Sequence, residues 1–133
     1  MQFIVAMTAG GLLLIGVFVA IAQRSWRDDQ RRRDLGTIDA MIERYAANHL
    51  GAYPSTADAS NPASQLTEQF QALRMTDPKT GKYYVLGSNF DSCDSSADAT
   101  QRGPGYVSYG RPGNSSPFKL RMCLEWGEFS LGD

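Results

Sequence analysis

The sequence predicts an α+β protein. One long N-terminal helix, transmembrane in its first part and amphipathic in its second, should pack on a small antiparallel β-sheet. Three observations carry this. Residues 3–22 hold no charged side chain. Apolar residues then recur at helical spacing from Leu35 to Leu50, and the rest of the chain, rich in Gly and Ser, contains three short stretches of strand character. With 133 residues there is room for one small domain and too little for two ordinary ones. The organisation expected is a helical segment over 1–50 followed by a small globular domain over 51–133. The 13 basic and 14 acidic residues leave a net charge of -1, so bulk charge creates no nucleic-acid-binding surface.

The apolar stretch comes first. Twenty uncharged residues span roughly 30 Å as a helix, the thickness of a bilayer's hydrocarbon core. The stretch ends at Gln23-Arg24-Ser25-Trp26-Arg27, where an aromatic ring and arginines suit a membrane interface. Ala20-Ile21-Ala22 resembles a signal-peptide cleavage site, but Met1-Gln2 carries no basic charge and the apolar run is longer than a signal peptide's. As a plain anchor, with Arg24, Arg27, Arg31, Arg32 and Arg33 all after the span, the C-terminal domain should be cytoplasmic. Two cysteines sit badly with that reducing compartment. A short basic leader, removed to leave Met1 as the processed N-terminus, resolves the conflict and places the domain in an oxidising compartment.

Beyond the polar run Arg24–Asp34, residues Leu35, Ile38, Met41, Ile42, Tyr45, Ala46 and Leu50 form one apolar stripe. Gly51 suits the position after a helix, and Tyr53-Pro54 prevents continuation. A helix over 3–50 would be about 72 Å long. Its glycines, Gly10, Gly11, Gly16 and Gly36, permit either close helix packing or local flexibility. Arg31-Arg32-Arg33 reads as a solvated helix surface offset by Asp28, Asp29 and Asp34.

Residues 51–64 have loop composition. A short amphipathic helix over 63–75 follows, opened by Asn61-Pro62, with Leu66, Phe70 and Leu73 on one side. Thr76-Asp77-Pro78-Lys79-Thr80-Gly81 is a turn. Strands are expected at Lys82–Gly87, Gly105–Gly110 and Phe118–Trp126. In the last, Phe118, Leu120, Met122, Leu124 and Trp126 alternate with Lys119, Arg121, Cys123 and Glu125. The first set belongs on the Ile38/Ile42/Tyr45 stripe and the second in solvent. A Cys93–Cys123 disulfide would then pin the polar loop Ser88–Gly105 to the outside of the last strand, contributing about 3.5–4 kcal/mol by the chain-entropy model. The alternative is two free thiols.

No constellation of residues points to an enzyme. His49 is the single histidine, at a helix C-terminus where its charge suits the dipole. Gly105–Gly110 lacks the serine spacing of a nucleophile elbow. Asn89, Asp91, Asp94 and Asp98 share one loop but match no EF-hand, and read as a solvated acidic loop. Asn114-Ser115-Ser116 fits a glycosylation sequon. No catalytic residue, cofactor or metal is expected.

The apolar segment 3–22, the Gly51-Ala52-Tyr53-Pro54-Ser55 run, the Asp77-Pro78-Lys79-Thr80-Gly81-Lys82-Tyr83-Tyr84 run and the two cysteines resemble, in that order, the type IV pilin and pseudopilin family. The resemblance covers the whole chain in architecture. It implies a pilin-like fold and a structural subunit that polymerises through its N-terminal helix into a surface filament. Its partners would be identical or related pilin subunits, a prepilin peptidase with its assembly machinery, and the inner membrane before assembly. No specific nucleic acid is implied. Phe3, Leu12, Leu13, Leu14, Ile15 and Phe18 would pack the filament core. The chain departs from the family at Val5, where a glutamate usually neutralises a neighbouring N-terminal amine; a tip-located minor subunit can lack it. A secretion or DNA-uptake pseudopilin, or a membrane-anchored binding module that never polymerises, are the alternatives.

Overall fold

A computed structural model describes residues 2–61, 64–87, 93, 102–110 and 118–131, with side chains from Ile15 onward. The chain is α+β. Helix α1 runs Gln2–Asn48 and is followed by two short helices, α2 (Thr56–Ser60) and α3 (Gln65–Ala72). A four-stranded sheet follows in the order β1 (Leu86–Gly87), β2 (Val107–Gly110), β3 (Lys119–Leu124) and β4 (Gly127–Leu131).

The long helix ends two residues before the expected Leu50. Leu50 itself takes the left-handed conformation (φ 58°), and Gly51 N–H reaches back to the Ala46 carbonyl at 2.8 Å, closing the final turn. This conformation turns Leu50 away from the stripe and leaves it wholly exposed. The rest of the stripe is confirmed: Leu35, Ile38, Met41, Ile42 and Ala46 are buried, and Tyr45 packs half-buried at its edge. The stripe also extends further towards the N-terminus. Asp28 and Arg31 stand at the same three- and four-residue spacing before Leu35, and both are buried.

The span 51–64 contains α2, capped by the Ser55 hydroxyl, which accepts from Asp58 N–H. Helix α3 is shorter than the expected 63–75. The Ser64 hydroxyl accepts from Thr67 N–H at its start, and Arg74, in the left-handed region, ends it. Leu66 and Phe70 face the core, whereas Leu73, at the helix's C-terminal cap, is exposed.

The sheet is mixed, not antiparallel. Strand β1 pairs parallel with β2, and β2, β3 and β4 form an antiparallel meander. A parallel pair needs a long return connection, and the stretch between Gly87 and Val107 supplies one. Of the expected strand Lys82–Gly87 only Leu86–Gly87 is laddered, with a lone bridge from Thr76 to Tyr83 before it. The expected strand Phe118–Trp126 breaks at Leu124. Glu125-Trp126 forms a tight turn closed by the Leu124/Gly127 pair, with Gly127 at φ 96°. Trp126 is therefore exposed in a turn and absent from the core.

Leu120, Met122 and Leu124 meet the helix stripe as expected. The Tyr109 hydroxyl donates to the Pro54 carbonyl at 2.7 Å, tying the segment after α1 to the sheet. Cys123 is disulfide-bonded to Cys93. Contrary to the expectation of a solvated position, Cys123 is fully buried. The chain beside it explains why: Gly105 N–H donates to the Cys123 carbonyl at 2.7 Å, Cys123 N–H donates to Tyr106, and Gly103–Gly105 are themselves buried.

Two outcomes follow for stability. Ile42→Ala should cost about 2–5 kcal/mol of domain stability, while Val19→Ala on the exposed part of the helix should change it by less than about 0.5 kcal/mol. Denaturant titration of the detergent-solubilised chain, followed by near-UV circular dichroism, measures both. In the same assay, reducing Cys93–Cys123 should lower stability by about 3–4 kcal/mol.

Candidate functional site

Two regions of α1 stand out, a charged junction with the sheet and an exposed apolar length before it. At the junction, Arg31 is fully buried. Its Nε donates to Asp77 Oδ1 at 2.7 Å, and its Nη1 donates to Asp28 Oδ1 at 2.9 Å and Glu125 Oε1 at 3.3 Å. Its Nη2 has no hydrogen-bond partner among the described residues. One turn towards the N-terminus, Arg27 grips Glu125 with both Nε and Nη2, at 2.5 and 2.9 Å. Arg24 approaches the same carboxylate at 3.7 Å. The ion pairs thus climb one side of the helix from Arg24 to Arg31.

Each carboxylate of the cluster except Glu125 also satisfies backbone. Asp28 accepts from the N–H groups of Glu125 (2.9 Å) and Trp126 (3.2 Å), which pins the β3–β4 turn to the helix. Asp77 Oδ2 accepts from Lys79 and Thr80 N–H and so organises its own turn, leaving Oδ1 for Arg31. Gly105 makes room for this: at φ 91°, a Cβ there would lie 2.6 Å from Asp77 Oδ1.

The electrostatics follow from the pairing. The hydrogen bond from Arg27, with the charges of Arg27 and Arg31, holds the Glu125 carboxyl below the ordinary carboxylate range against its desolvation. Burial opposes the charge on Arg31, but Asp77 and Asp28 outweigh it and keep the guanidinium firmly protonated. Nearby, burial pushes the Asp34 carboxyl up, although Tyr84 OH and Gln30 donate to it at 3.0 and 2.9 Å. Arg31 therefore departs from the solvated surface read from Arg31-Arg32-Arg33. Arg32 and Arg33 match that reading, paired with Asp29 and Gln30.

The second region is the helix before the junction. Every residue from Ile15 to Trp26 is exposed, with Ile15 at 62% and Phe18 at 71%. Of the residues expected to pack a filament core, Ile15 and Phe18 therefore stand free of the domain. The side chains of Phe3, Leu12, Leu13 and Leu14 lie outside the described residues, as do Met1, Asn89, Asp91, Asp94, Asp98 and the sequon at Asn114. Among the described residues no helix is long and apolar enough to cross a membrane, and none of their His, Cys, Asp and Glu side chains form a group of three that could hold a metal ion. His49 stacks on Tyr45 with ring centres 3.9 Å apart, and its Nδ1 donates to the Tyr45 carbonyl at 2.7 Å.

The arrangement is mechanical. Three arginines on one helix face lock two turns of the domain against it, and the helix continues beyond the lock with its apolar side chains uncovered. No protein-family model, curated protein or solved structure matches the chain.

Removing Arg31 (Arg31→Met) should cost about 3–5 kcal/mol, because Asp28 and Asp77 would remain buried without their cation. Glu125→Gln should destabilise by about 2–4 kcal/mol at pH 7. The sign of its pH dependence is set by the lowered Glu125 pKa: the carboxylate's contribution is present above the ordinary carboxyl value and is lost as pH falls through the lower folded one. Thermal unfolding of both chains should therefore converge only once the pH has fallen below the lowered folded value, under the ordinary carboxyl range.

Proposed function

We propose that this chain is a structural subunit of a type IV pilus-like surface filament, with a pilin-like fold, polymerising through its N-terminal helix. One observation carries the reading: a single helix is packed into an α+β domain at one end and presents exposed apolar side chains from Ile15 to Ile21 at the other. Contiguous apolar surface of this kind needs a covering partner. A lipid bilayer and a bundle of like helices are equally apolar, so a subunit can leave the first for the second at little hydrophobic cost, and packing between helices then favours assembly. Contacts of this kind that repeat without closing generate a helical filament. The Cys93–Cys123 disulfide suits a domain exposed to an oxidising exterior. The order of motifs along the chain supports the same family.

Intact-mass spectrometry of the native protein from sheared surface material, with and without reductant, tests this. The expected species begins at Met1, carries an extra methyl group and gains two hydrogens on reduction. A formylated Met1 found only in membranes, with free thiols, would overturn the proposal in favour of a membrane-anchored module. A second test separates assembly from folding. Phe18→Asp should leave the domain's near-UV spectrum intact and abolish recovery in sheared fibres.

A further inference from the structure

We propose that the β3–β4 turn is a second membrane-interface contact, in which Trp126 sits among lipid headgroups while the helix is still in the bilayer. This rests on the membrane-resident stage of the function proposed above. The chain has two tryptophans, Trp26 and Trp126, and both are more than half exposed, at 58% and 57%. They are far apart in sequence but close in height along the helix. Asp28 accepts from the backbone N–H of Trp126 itself, and Glu125 reaches down to Arg24. Side chains on a helix lean towards its N-terminus, so the turn lies beside the helical turn just after Ala22, where the uncharged stretch ends. Asp28 is six residues past Ala22, about 9 Å along the axis. The headgroup layer beyond the hydrocarbon core is about 5–8 Å deep. The Asp28 side chain leans back from that height towards the layer, so the turn it holds falls at the layer's outer edge, within reach of an indole ring.

The two rings also face different ways. At 3.6 residues per turn, Trp26 lies about 150° around the helix from the Arg24, Arg27, Asp28 and Arg31 face that holds the turn. One ring sits on each side of the shaft. The turn is chemically prepared for such a place. The backbone N–H groups of Glu125 and Trp126 are already satisfied by Asp28, and the Glu125 carboxylate is neutralised by arginines. Bringing the turn to the interface therefore exposes no unpaired donor or charge to a less polar medium, and Trp126 is the large side chain it offers. Arg24, with its side chain about half exposed, adds a cation at the same level for lipid phosphates. Two rings on opposite sides of one helix would limit its tilt and hold the domain at a set orientation above the membrane.

The experiment uses the full chain in vesicles of phosphatidylcholine and phosphatidylglycerol, with phosphatidylcholine brominated either near the headgroup or deep in the acyl chain. Trp26→Phe leaves Trp126 as the sole indole, and Trp126→Phe leaves Trp26; both positions are exposed, so the fold should survive. The expected result is a blue-shifted emission from each variant, quenched more by the shallow bromine than by the deep one. Quenching of Trp26 with Trp126 unshifted and unquenched would overturn the inference and leave the membrane reading standing. Failure of both variants to float with the vesicles would overturn the membrane reading, and this inference with it.

Discussion

A guanidinium with no access to solvent holds this molecule together. Arg31 binds a carboxylate from its own helix, one from the turn before β1 and one from the β3–β4 turn. Each of these turns has its backbone tied to the same cluster, through Asp28 or through Asp77 itself. A buried ion pair gains little over a well-packed apolar group of similar volume, because desolvation consumes most of the attraction. What it supplies is direction. Apolar contacts along Ile38, Ile42 and Leu120 would tolerate some sliding and rotation of the helix over the sheet. A fork of donors that must meet three separate carboxylates does not.

Much of the fold could be read from the residues, and what was missed has physical causes. The helical stripe from Leu35 to Ala46, the alternation Leu120, Met122, Leu124 and the pairing of Cys93 with Cys123 follow from hydrophobic period and cysteine count alone. Strand β4 carries a weak signal: Phe129 and Leu131 alternate with Glu128 and Ser130, but over five residues only, and the apolar pair is no more than half-buried at the sheet edge. The parallel partner β1 carries two ladder residues, too few for any period to show. Cys123 looked solvated because alternation assigns faces to a strand but cannot say that another stretch of chain will cover the outer one.

The candidate site was the least legible part. Charged residues are read as surface by default, and Arg31 sits in a run of three arginines that invites the default. A signal was nonetheless present. Asp28 and Arg31 continue the spacing of Leu35, Ile38 and Ile42, so the buried stripe crosses from charged to apolar residues without losing phase. A polar pair in phase with a core stripe asks for buried partners elsewhere in the chain. Asp77 in its turn and Glu125 after the last core strand supply them. The exposed apolar length before Trp26, in contrast, was visible from composition alone, as an uncharged run ahead of the amphipathic stripe.

The helix passes from its bare length to its clamped length without interruption, and this makes azimuth a property of the sequence. Around that axis each residue advances about 100°. The direction in which Phe18 points is therefore tied to the direction in which the sheet lies. One residue inserted between Ala22 and Trp26 would swing the domain by more than a quarter of a circle relative to the apolar face, while seven would nearly restore it. Any lattice that these helices enter would read that angle, so the outer surface it displays is set by a count of residues along the shaft.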